Sequence, residues 1–350
     1  MTDPARPGAY VFHCRWQYRP WEADWALSIP YDRYRDLRPG TYRVELDIAH
    51  EPGEMLVGVA HHEGDDPRTF VFNSHTCHPG QANDGMSGVA TLIRLFQHLR
   101  GRRTRWSYRL VFGPEHLGTV FLLAGTPREE LERLMGGVFV EMTGVPAPLV
   151  ATSTFLGGHA LDRAFAHVLP RLPLGGRTAA WRDGAGNDET VWEAPGYEVP
   201  FVELTRCRDM FDPYPEYHSS LDTPDSLDMG HVDEAYRALL EVVDVLERDC
   251  TAHRRFDGLV CLSAPQHDLY PERPDPAIHS DVDAVGLRWG RLVDHLLRWM
   301  DGSMTALEMA EAVDLPFADV RDYLERFREK GLAELRPAAV TRPPISRRVE

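Results

Sequence analysis

Imidazole and carboxylate side chains follow four of the strands that the sequence predicts. In chain order they are His75, His78, Asp84, Glu115, His116, Glu141 and His218. Ligands of open α/β sheets bind at the carboxyl ends of the strands, so we expect these side chains to lie together at one edge of a sheet. Nitrogen and oxygen ligands in combination suit Zn²⁺ and related borderline ions. The sequence therefore predicts a metal site.

Strands and helices alternate along the central part of the chain, and they must position these ligands. Apolar or alternating runs predict strands at 41–48, 55–62, 69–75, 108–113, 136–142 and 199–204. Apolar residues at helical spacing predict helices at 85–99 and 233–248, and another helix is expected from 119–124 onward. This order predicts an α/β fold with a mostly parallel mixed sheet.

The expected domain organisation has five segments. They are a β-rich segment at 1–52, an α/β metal domain at 53–255, a Pro- and Asp-rich linker at 256–284, a winged helix at 285–337 and a disordered tail at 338–350. The predicted recognition helix of the winged helix, residues 319–330, carries four acids and four bases. A helix that reads a DNA groove should be net basic. We therefore expect no nucleic-acid partner, and a packing role or a homo-oligomer contact for the winged helix.

Composition excludes several kinds of function. The chain has a formal net charge of −16, and its one lysine is Lys330. A P-loop and a pyridoxal enzyme each need a well-placed lysine, and an acidic chain is a poor binder of phosphate backbones. No apolar run is long enough to span a membrane, no signal peptide is recognisable, and five scattered cysteines form no CxxC pair. These features predict a cytoplasmic protein without a membrane partner.

Four stretches carry a family resemblance: HTCHPGQANDGMSGVA, GPEHLG, VFVEMTG and YHSSLDTPDSL, in this order between residues 69 and 250. They resemble the zinc-dependent aminopeptidase clan, which includes bacterial leucyl aminopeptidase, glutamate carboxypeptidase and the zinc glutaminyl cyclases. HTCHP, GNDE and YPEYHSSLD are more similar still to an uncharacterised aminopeptidase-like family with a small β-rich insert and a C-terminal winged helix. The resemblance implies a three-layer αβα fold and one or two zinc ions.

The resemblance also implies a role for each candidate ligand. It assigns one metal to His75, Asp84 and Glu141, and a second metal to Asp84, His116 and His218. Glu115 takes the position of the general base that deprotonates a metal-bound water. His78, three residues from His75, competes with His75 as a ligand.

Several of these residues keep a second interpretation. Asp84 also stands where a helix N-cap is expected, and Glu115 with His116 also fits an exposed helix start. Cys77 fits either a nucleophile beside a histidine or a buried structural cysteine.

Four further residues are candidates for substrate binding: Asp188, Glu189, Arg206 and Tyr217. Asp188 and Glu189 either receive a substrate amine or begin a short helix. Arg206 pairs either with a substrate carboxylate or with an acid at the surface. Tyr217 or Tyr214 is a candidate to assist an oxyanion.

The predicted function is that of a zinc-dependent, aminopeptidase-like hydrolase of a small amino-acid or peptide-like substrate. One alternative is a glutaminyl-cyclase-like acyl transfer or an amide hydrolysis within a biosynthetic pathway. The others are a non-catalytic binding protein that uses the same pocket and a winged-helix regulator.

Overall fold

The computed structural model describes residues 1–12, 25–49, 51–207, 213–271 and 284–346. The chain divides into two compact units. The first comprises Met1–Leu156, Leu174–Arg237 and Pro343–Glu350, and the second comprises Gly157–Pro173 and Ala238–Arg342. Parts of the expected N-terminal segment, of the linker and of the tail lie outside the described residues. The five-segment division of the chain stays a prediction.

The first unit contains a seven-stranded mixed sheet. Its strands are β1 (Gly58–His62), β2 (Asp66–His75), β3 (Trp106–Gly113), β4 (Leu134–Val140), β5 (Leu149–Thr152), β6 (Gly176–Ala179) and β7 (Phe201–Thr205). Their spatial order is β1-β3-β2-β4-β7-β5-β6. The central strands β3, β2, β4 and β7 run parallel, whereas β1 is antiparallel to β3 and β5 is antiparallel to β7. The predicted α/β fold with a mostly parallel mixed sheet is confirmed.

The described residues of the two units also form helices. They are α1 (Tyr31–Arg35), α2 (Gly88–Leu99), α3 (Leu117–Gly125), α4 (Arg128–Arg133), α5 (Ala160–Val168), α6 (Glu189–Trp192), α7 (Met229–Arg248), α8 (Ala284–Trp299), α9 (Ala306–Val313) and α10 (Phe317–Glu329). Among the described residues, no helix combines the length and the apolar character that crossing a membrane requires.

The centre of the sheet is buried because its strands are apolar on both faces, as parallel strands covered by helices must be. Strand β4 is buried over its whole length. Gly137 of β4 leaves room for the Phe201 ring, since a β-carbon at this position would lie 2.1 Å from that ring. Helix α2 turns Leu92 and Leu95 inward, and both are fully buried. This packing holds the carboxyl ends of β2, β3 and β4 at one edge.

The prediction of a strand at 41–48 is wrong, and the predicted tail is described only in part. The described residues of 1–52 form no strand, and the apolar side chains of the alternating run 41–48 are exposed. Alternation produces a strand only where a neighbouring strand and a buried face are available, and the described structure supplies neither for this run. The expected disordered tail is ordered in part, because Ile345 packs into a core cluster with Val71 and Trp192.

The second unit contains a three-stranded antiparallel sheet and the C-terminal helices. Its strands are β8 (Cys250–Arg254), β9 (Asp301–Thr305) and β10 (Ala333–Pro337), in the order β10-β8-β9. Val320, Leu324 and Phe327 of α10 are buried, and Arg321 and Arg328 of the same helix pair with Glu325. The apolar face of α10 is therefore used in packing, and ion pairs within the helix neutralise part of its basic charge.

Candidate metal centre

Three candidate ligands meet at the carboxyl edge of the sheet because the strands that carry them run parallel. His75 is the last residue of β2, and Glu141 directly follows β4. Asp84 lies in the loop between β2 and α2. His75, Asp84 and Glu141 are all buried, with exposures of 0%, 4% and 1%. Carboxylates are rarely buried to this extent without a partner.

His75 contacts both acids. Its Nε2 atom lies 2.8 Å from Oε2 of Glu141 and 3.2 Å from Oδ1 of Asp84. Burial raises the pKa of Glu141 to about 7, although the contact with His75 opposes this rise. The Glu141 Oε1 atom is buried and has no hydrogen-bond partner in the described part of the protein. A cation bound between His75 and the two acids would offset the charge of these buried carboxylates, so the first group of ligands fits a metal ion.

A second group shares the Asp84 carboxylate. The Nε2 atoms of His78 and His218 each lie 3.2 Å from Oδ2 of Asp84. Burial alone would raise the pKa of Asp84, but its contacts with His218, His75 and His78 hold that pKa well below its usual range. The hydrogen bond that His78 donates to Asp84 contributes most to raising the pKa of His78 to about 10. His78 and His75 therefore do not compete for one position, because they contact different oxygens of the same acid.

The loop around Asp84 has an unusual backbone that sequence periodicity does not reveal. Residues Ala82–Ser87 form a kinked turn before α2, and Asp84 lies at the kink with non-helical angles, φ −83° and ψ 79°. The N-cap of α2 is Ser87, so the N-cap interpretation of Asp84 is wrong. Gly85 has φ +119°, and a β-carbon there would lie 2.5 Å from the His75 carbonyl oxygen. Glycine is required at this position because the turn brings Asp84 back toward His75.

Asp222 holds this loop in place, and our sequence analysis did not select it. Its carboxylate accepts hydrogen bonds from the backbone N–H groups of Asn83, at 2.8 Å, and of Asp84, at 3.2 Å. The Tyr214 hydroxyl donates a third hydrogen bond to Asp222 at 2.8 Å. Tyr214 is thereby engaged in the loop support and is not available to an oxyanion. The signal for Asp222 was its place four residues after His218, within a stretch of family resemblance.

The predicted base lies at the rim of the centre. Glu115 is half-buried, two residues after β3, and the Cys77 thiol donates toward its Oε2 atom across 3.6 Å. The Cys77 side chain is exposed, which excludes the buried structural interpretation. Interactions with His75 and His78 lower its pKa even though burial acts to raise it.

His116 does not join either group of ligands in the described structure. It has φ 55° at the start of α3, and its backbone N–H donates to Asp188. Asp188 also accepts a hydrogen bond from the Thr119 hydroxyl. The Nε2 atom of His116 is buried and lacks a hydrogen-bond partner among the described residues. Asp188 therefore anchors the start of α3.

Asp188 and Glu189 are buried, with exposures of 1% and 0%, and they begin the short helix α6. Their role in binding a substrate amine stays a prediction. Burial raises the pKa of each carboxyl, and the nearby Glu203 raises that of Glu189 further. Glu189 accepts the Asn187 N–H at 2.6 Å. The Asn187 side chain in turn donates to Glu141 at 3.0 Å. The turn at Asn187 therefore holds the Glu141 carboxylate through a hydrogen bond.

Glu203 is a second residue that our sequence analysis missed. It lies fully buried in β7 and accepts the Gly186 N–H at 3.0 Å. Burial, followed by the charge of Glu141, raises its pKa to about 8. A lone carboxylate within the apolar run VPFVEL was the available signal.

Arg206 is not part of a surface ion pair, and its role in binding a substrate carboxylate stays a prediction. It is fully buried, and its guanidinium donates to Glu234 and to the carbonyl oxygens of Ala147 and His231. These contacts engage both terminal NH₂ groups of the guanidinium, whereas its buried Nε–H has no partner among the described residues. Tyr217, unlike Arg206, lies beside a candidate metal ligand. Its ring stacks on the His218 imidazole with the ring centroids 3.9 Å apart.

Comparisons with known proteins agree with this architecture. A family described as a domain of unknown function, DUF4910, matches residues 17–249. A Clostridium acetobutylicum protein, provisionally named a polysaccharide biosynthesis protein with an aminopeptidase-like domain, is 26% identical over 231 residues. That match covers 66% of this chain and 52% of the relative, so the chain spans about half the length of the curated relative that it matches.

Solved structures show a similar fold. A C. acetobutylicum protein provisionally described as a peptidase has a TM-score of 0.78 at 20% identity, covering 96% of this chain and 72% of that chain. A zinc aminopeptidase from Bacillus subtilis has a TM-score of 0.47 at 14% identity, covering 53% of this chain and 48% of that chain. A glutaminyl cyclase from an Acidobacteriales bacterium has a TM-score of 0.44 at 19% identity, covering 55% and 74%. The suspected resemblance to aminopeptidase-like proteins is confirmed. The chain belongs to the DUF4910 family, and its fold is similar to that of the C. acetobutylicum protein provisionally described as a peptidase.

Proposed function

We propose that this chain is a metal-dependent amide hydrolase that acts on a small amino-acid or peptide-like substrate. The observation that carries the proposal is the buried group of His75, Asp84 and Glu141, in which one oxygen of Glu141 has no hydrogen-bond partner among the described residues. Three such ligands at the mouth of an α/β sheet are typical of a catalytic metal site. The aminopeptidase-like domain named in the Clostridium relative supports the same reaction class.

We propose zinc as the ion. Zinc accepts imidazole and carboxylate ligands together, whereas magnesium and calcium prefer oxygen ligands throughout. When bound, zinc supplies a Lewis acid and lowers the pKa of water toward ~7. His75, Asp84 and Glu141 would hold the ion. Asn187 restrains the Glu141 carboxylate through its hydrogen bond of 3.0 Å, which keeps that ligand oriented.

Glu115 is the residue that moves the proton in this proposal. It is half-buried and lies beside Cys77, which belongs to the loop that connects His75 to His78. Glu115 accepts a proton from the attacking water, whose oxygen forms a bond to the amide carbon. The C–N bond then breaks, and the proton passes from Glu115 to the leaving amine. Glu115 thus serves as the base in the first step and as the acid in the second.

The test compares Glu115→Gln with the wild-type protein for zinc content and for turnover of an aminoacyl-anilide panel. The amide keeps the size of the side chain but is a poor proton acceptor. We expect unchanged zinc content and a loss of about 10²- to 10⁴-fold in kcat, the usual contribution of a general base. Glu129→Gln is the matched control, because Glu129 is exposed on α4. It should leave both quantities unchanged.

Three results would contradict parts of the proposal. Protein that neither contains zinc nor takes it up after dialysis would exclude the metal-dependent reaction. Full turnover in Glu115→Gln would exclude this residue as the base. Zinc binding without turnover of any substrate, including glutaminyl substrates that report cyclisation, would favour the non-catalytic binding protein.

A further inference from the structure

The imidazoles of His78 and His218 meet at one oxygen of Asp84, and His75 contacts the other oxygen of that acid. We propose that His78, Asp84 and His218 hold a second metal ion, and that His116 is not one of its ligands. The proposal rests on the proposed function, because Asp84 would bridge this ion and the first. It changes the ligand set that the family resemblance implied and gives His78 a separate site.

Distances within this group suit a small divalent cation. Each imidazole Nε2 atom lies 3.2 Å from Oδ2 of Asp84, and the ligand atoms of the group all lie within 4.8 Å of one another. In a tetrahedral zinc site with bonds of about 2.0–2.1 Å, neighbouring ligand atoms are about 3.3 Å apart. Three ligands at this spacing leave the fourth position open, as catalytic zinc sites require.

The hydrogen bonding of His78 prepares its ring for coordination. Its Nδ1 atom lies 3.1 Å from the Pro79 carbonyl oxygen. A carbonyl oxygen can only accept, so Nδ1 carries the hydrogen. When Nε2 gives up its proton, as coordination requires, its lone pair is directed at the position shared with Asp84 and His218. Metal-binding histidines usually donate their second ring nitrogen to such a carbonyl, which fixes the tautomer.

An aromatic side chain orients both imidazoles before any ion arrives. The Phe12 ring centroid lies 4.9 Å from that of His78 and 5.2 Å from that of His218. The two imidazoles are perpendicular, with centroids 5.3 Å apart. The Phe12 backbone N–H donates to the His218 carbonyl oxygen at 2.9 Å. The Tyr217 ring stacks on the His218 imidazole. The rings therefore lose little freedom on binding a metal.

His116 lacks these features. Its backbone is held to Asp188, and its imidazole interacts with the charge of that same acid. It stands outside both groups of candidate ligands. Its imidazole makes no contact with Asp84 or His218 that would place it in the second group.

Zinc stoichiometry distinguishes the two histidines without any activity measurement. Full-length protein is stripped with a chelator, and zinc is then titrated by calorimetry. Co²⁺ absorption provides a second readout of the coordination sphere. We expect two equivalents in the wild type and in His116→Ala, and one equivalent in His78→Ala. Loss of supporting partners around a ligand weakens metal binding 10- to 100-fold, so removal of His78 itself should weaken the second site by more than about 100-fold.

Each other outcome overturns the inference. A single equivalent in the wild type removes the second site but leaves the proposed one-metal hydrolysis intact, whereas no binding at all removes both. If His78→Ala still binds two equivalents of zinc, or if His116→Ala binds only one, His116 is a ligand of the second site and His78 is not. Far-UV circular dichroism verifies the fold of each variant. If His78→Ala does not fold, His78→Gln, which keeps a polar side chain of similar size, is titrated instead.

Discussion

Asp222 controls the position of the shared metal ligand without being a ligand itself. Oδ1 of Asp222 accepts the Asn83 N–H, and Oδ2 accepts both the Asp84 N–H and the Tyr214 hydroxyl. In Asp222→Asn an NH₂ group replaces one of these oxygens and faces a donor. We therefore expect the non-ligand Asp222 to affect metal affinity as well as stability.

The magnitude follows from the number of hydrogen bonds that the substitution removes. In the less costly orientation, the amide group replaces Oδ1, and only the bond from Asn83 is lost. A hydrogen bond to a charged group contributes about 1.5–3 kcal/mol, so the free energy of unfolding of the metal-free protein should fall by about 2 kcal/mol. Release of the kinked turn at Ala82–Ser87 also moves Asp84. We expect zinc affinity to fall about 10- to 100-fold, as for other residues that support metal ligands.

The assay combines urea unfolding of the metal-free protein with zinc calorimetry of the folded protein. Asp225→Asn is the matched control, because Asp225 is exposed in the same loop; it should change neither quantity. Tyr214→Phe removes only the hydroxyl donor and should cost about 1 kcal/mol. If Asp222→Asn loses stability but binds zinc as tightly as the wild type, the loop does not position Asp84 and the reasoning is refuted.

Three further predictions concern stability and are all measurable by urea unfolding of the metal-free protein. Glu234→Ala leaves Arg206 buried without its carboxylate and should lower the free energy of unfolding by about 3–5 kcal/mol; a loss below 1 kcal/mol would mean that the charge finds another partner. Burial lowers the pKa of His167 from 6.5 to about 4, so the unfolded chain binds more protons between these values and stability falls as the pH drops through 6.5. The loss at pH 5 relative to pH 7.5 should include about 2 kcal/mol that is absent in His167→Gln, and equal pH dependence in both proteins would contradict the assignment. Gly88→Ala places a β-carbon 2.0 Å from the Val140 carbonyl oxygen and should lower the free energy of unfolding by about 1–3 kcal/mol. Gly125→Ala is the control, because no neighbouring atom lies within 4 Å of its new β-carbon, and it should change that free energy by less than about 0.5 kcal/mol.

Local sequence patterns were sufficient for the elements that carry the ligands. Continuous apolar runs predicted β2, β3, β4 and β7, because strands in the middle of a covered parallel sheet are buried on both faces. The short strands β5 and β6 were missed, since runs of four residues give little periodicity. The run 41–48 was predicted wrongly because alternation describes a face but cannot say whether another strand pairs with it.

For the site, the sequence by itself determined which side chains could bind a metal and that they follow successive strands. A carboxylate or imidazole at the end of an apolar strand is conspicuous, because burial without a partner is costly. This reasoning brought His75, Asp84, Glu141 and His218 to one edge, as the structure does.

Only the tertiary structure decided how these side chains share their partners. His78 and His218 are 140 residues apart in sequence, yet both contact one oxygen of Asp84. Arg206 is buried by its pairing with Glu234, and no local pattern reports that contact. Periodicity acts over a few residues, whereas the contacts that distinguish a ligand from a support depend on loops and register set by distant segments. The sequence therefore determined the chemistry that is available, and the packing of distant loops decided which residues can take part in it.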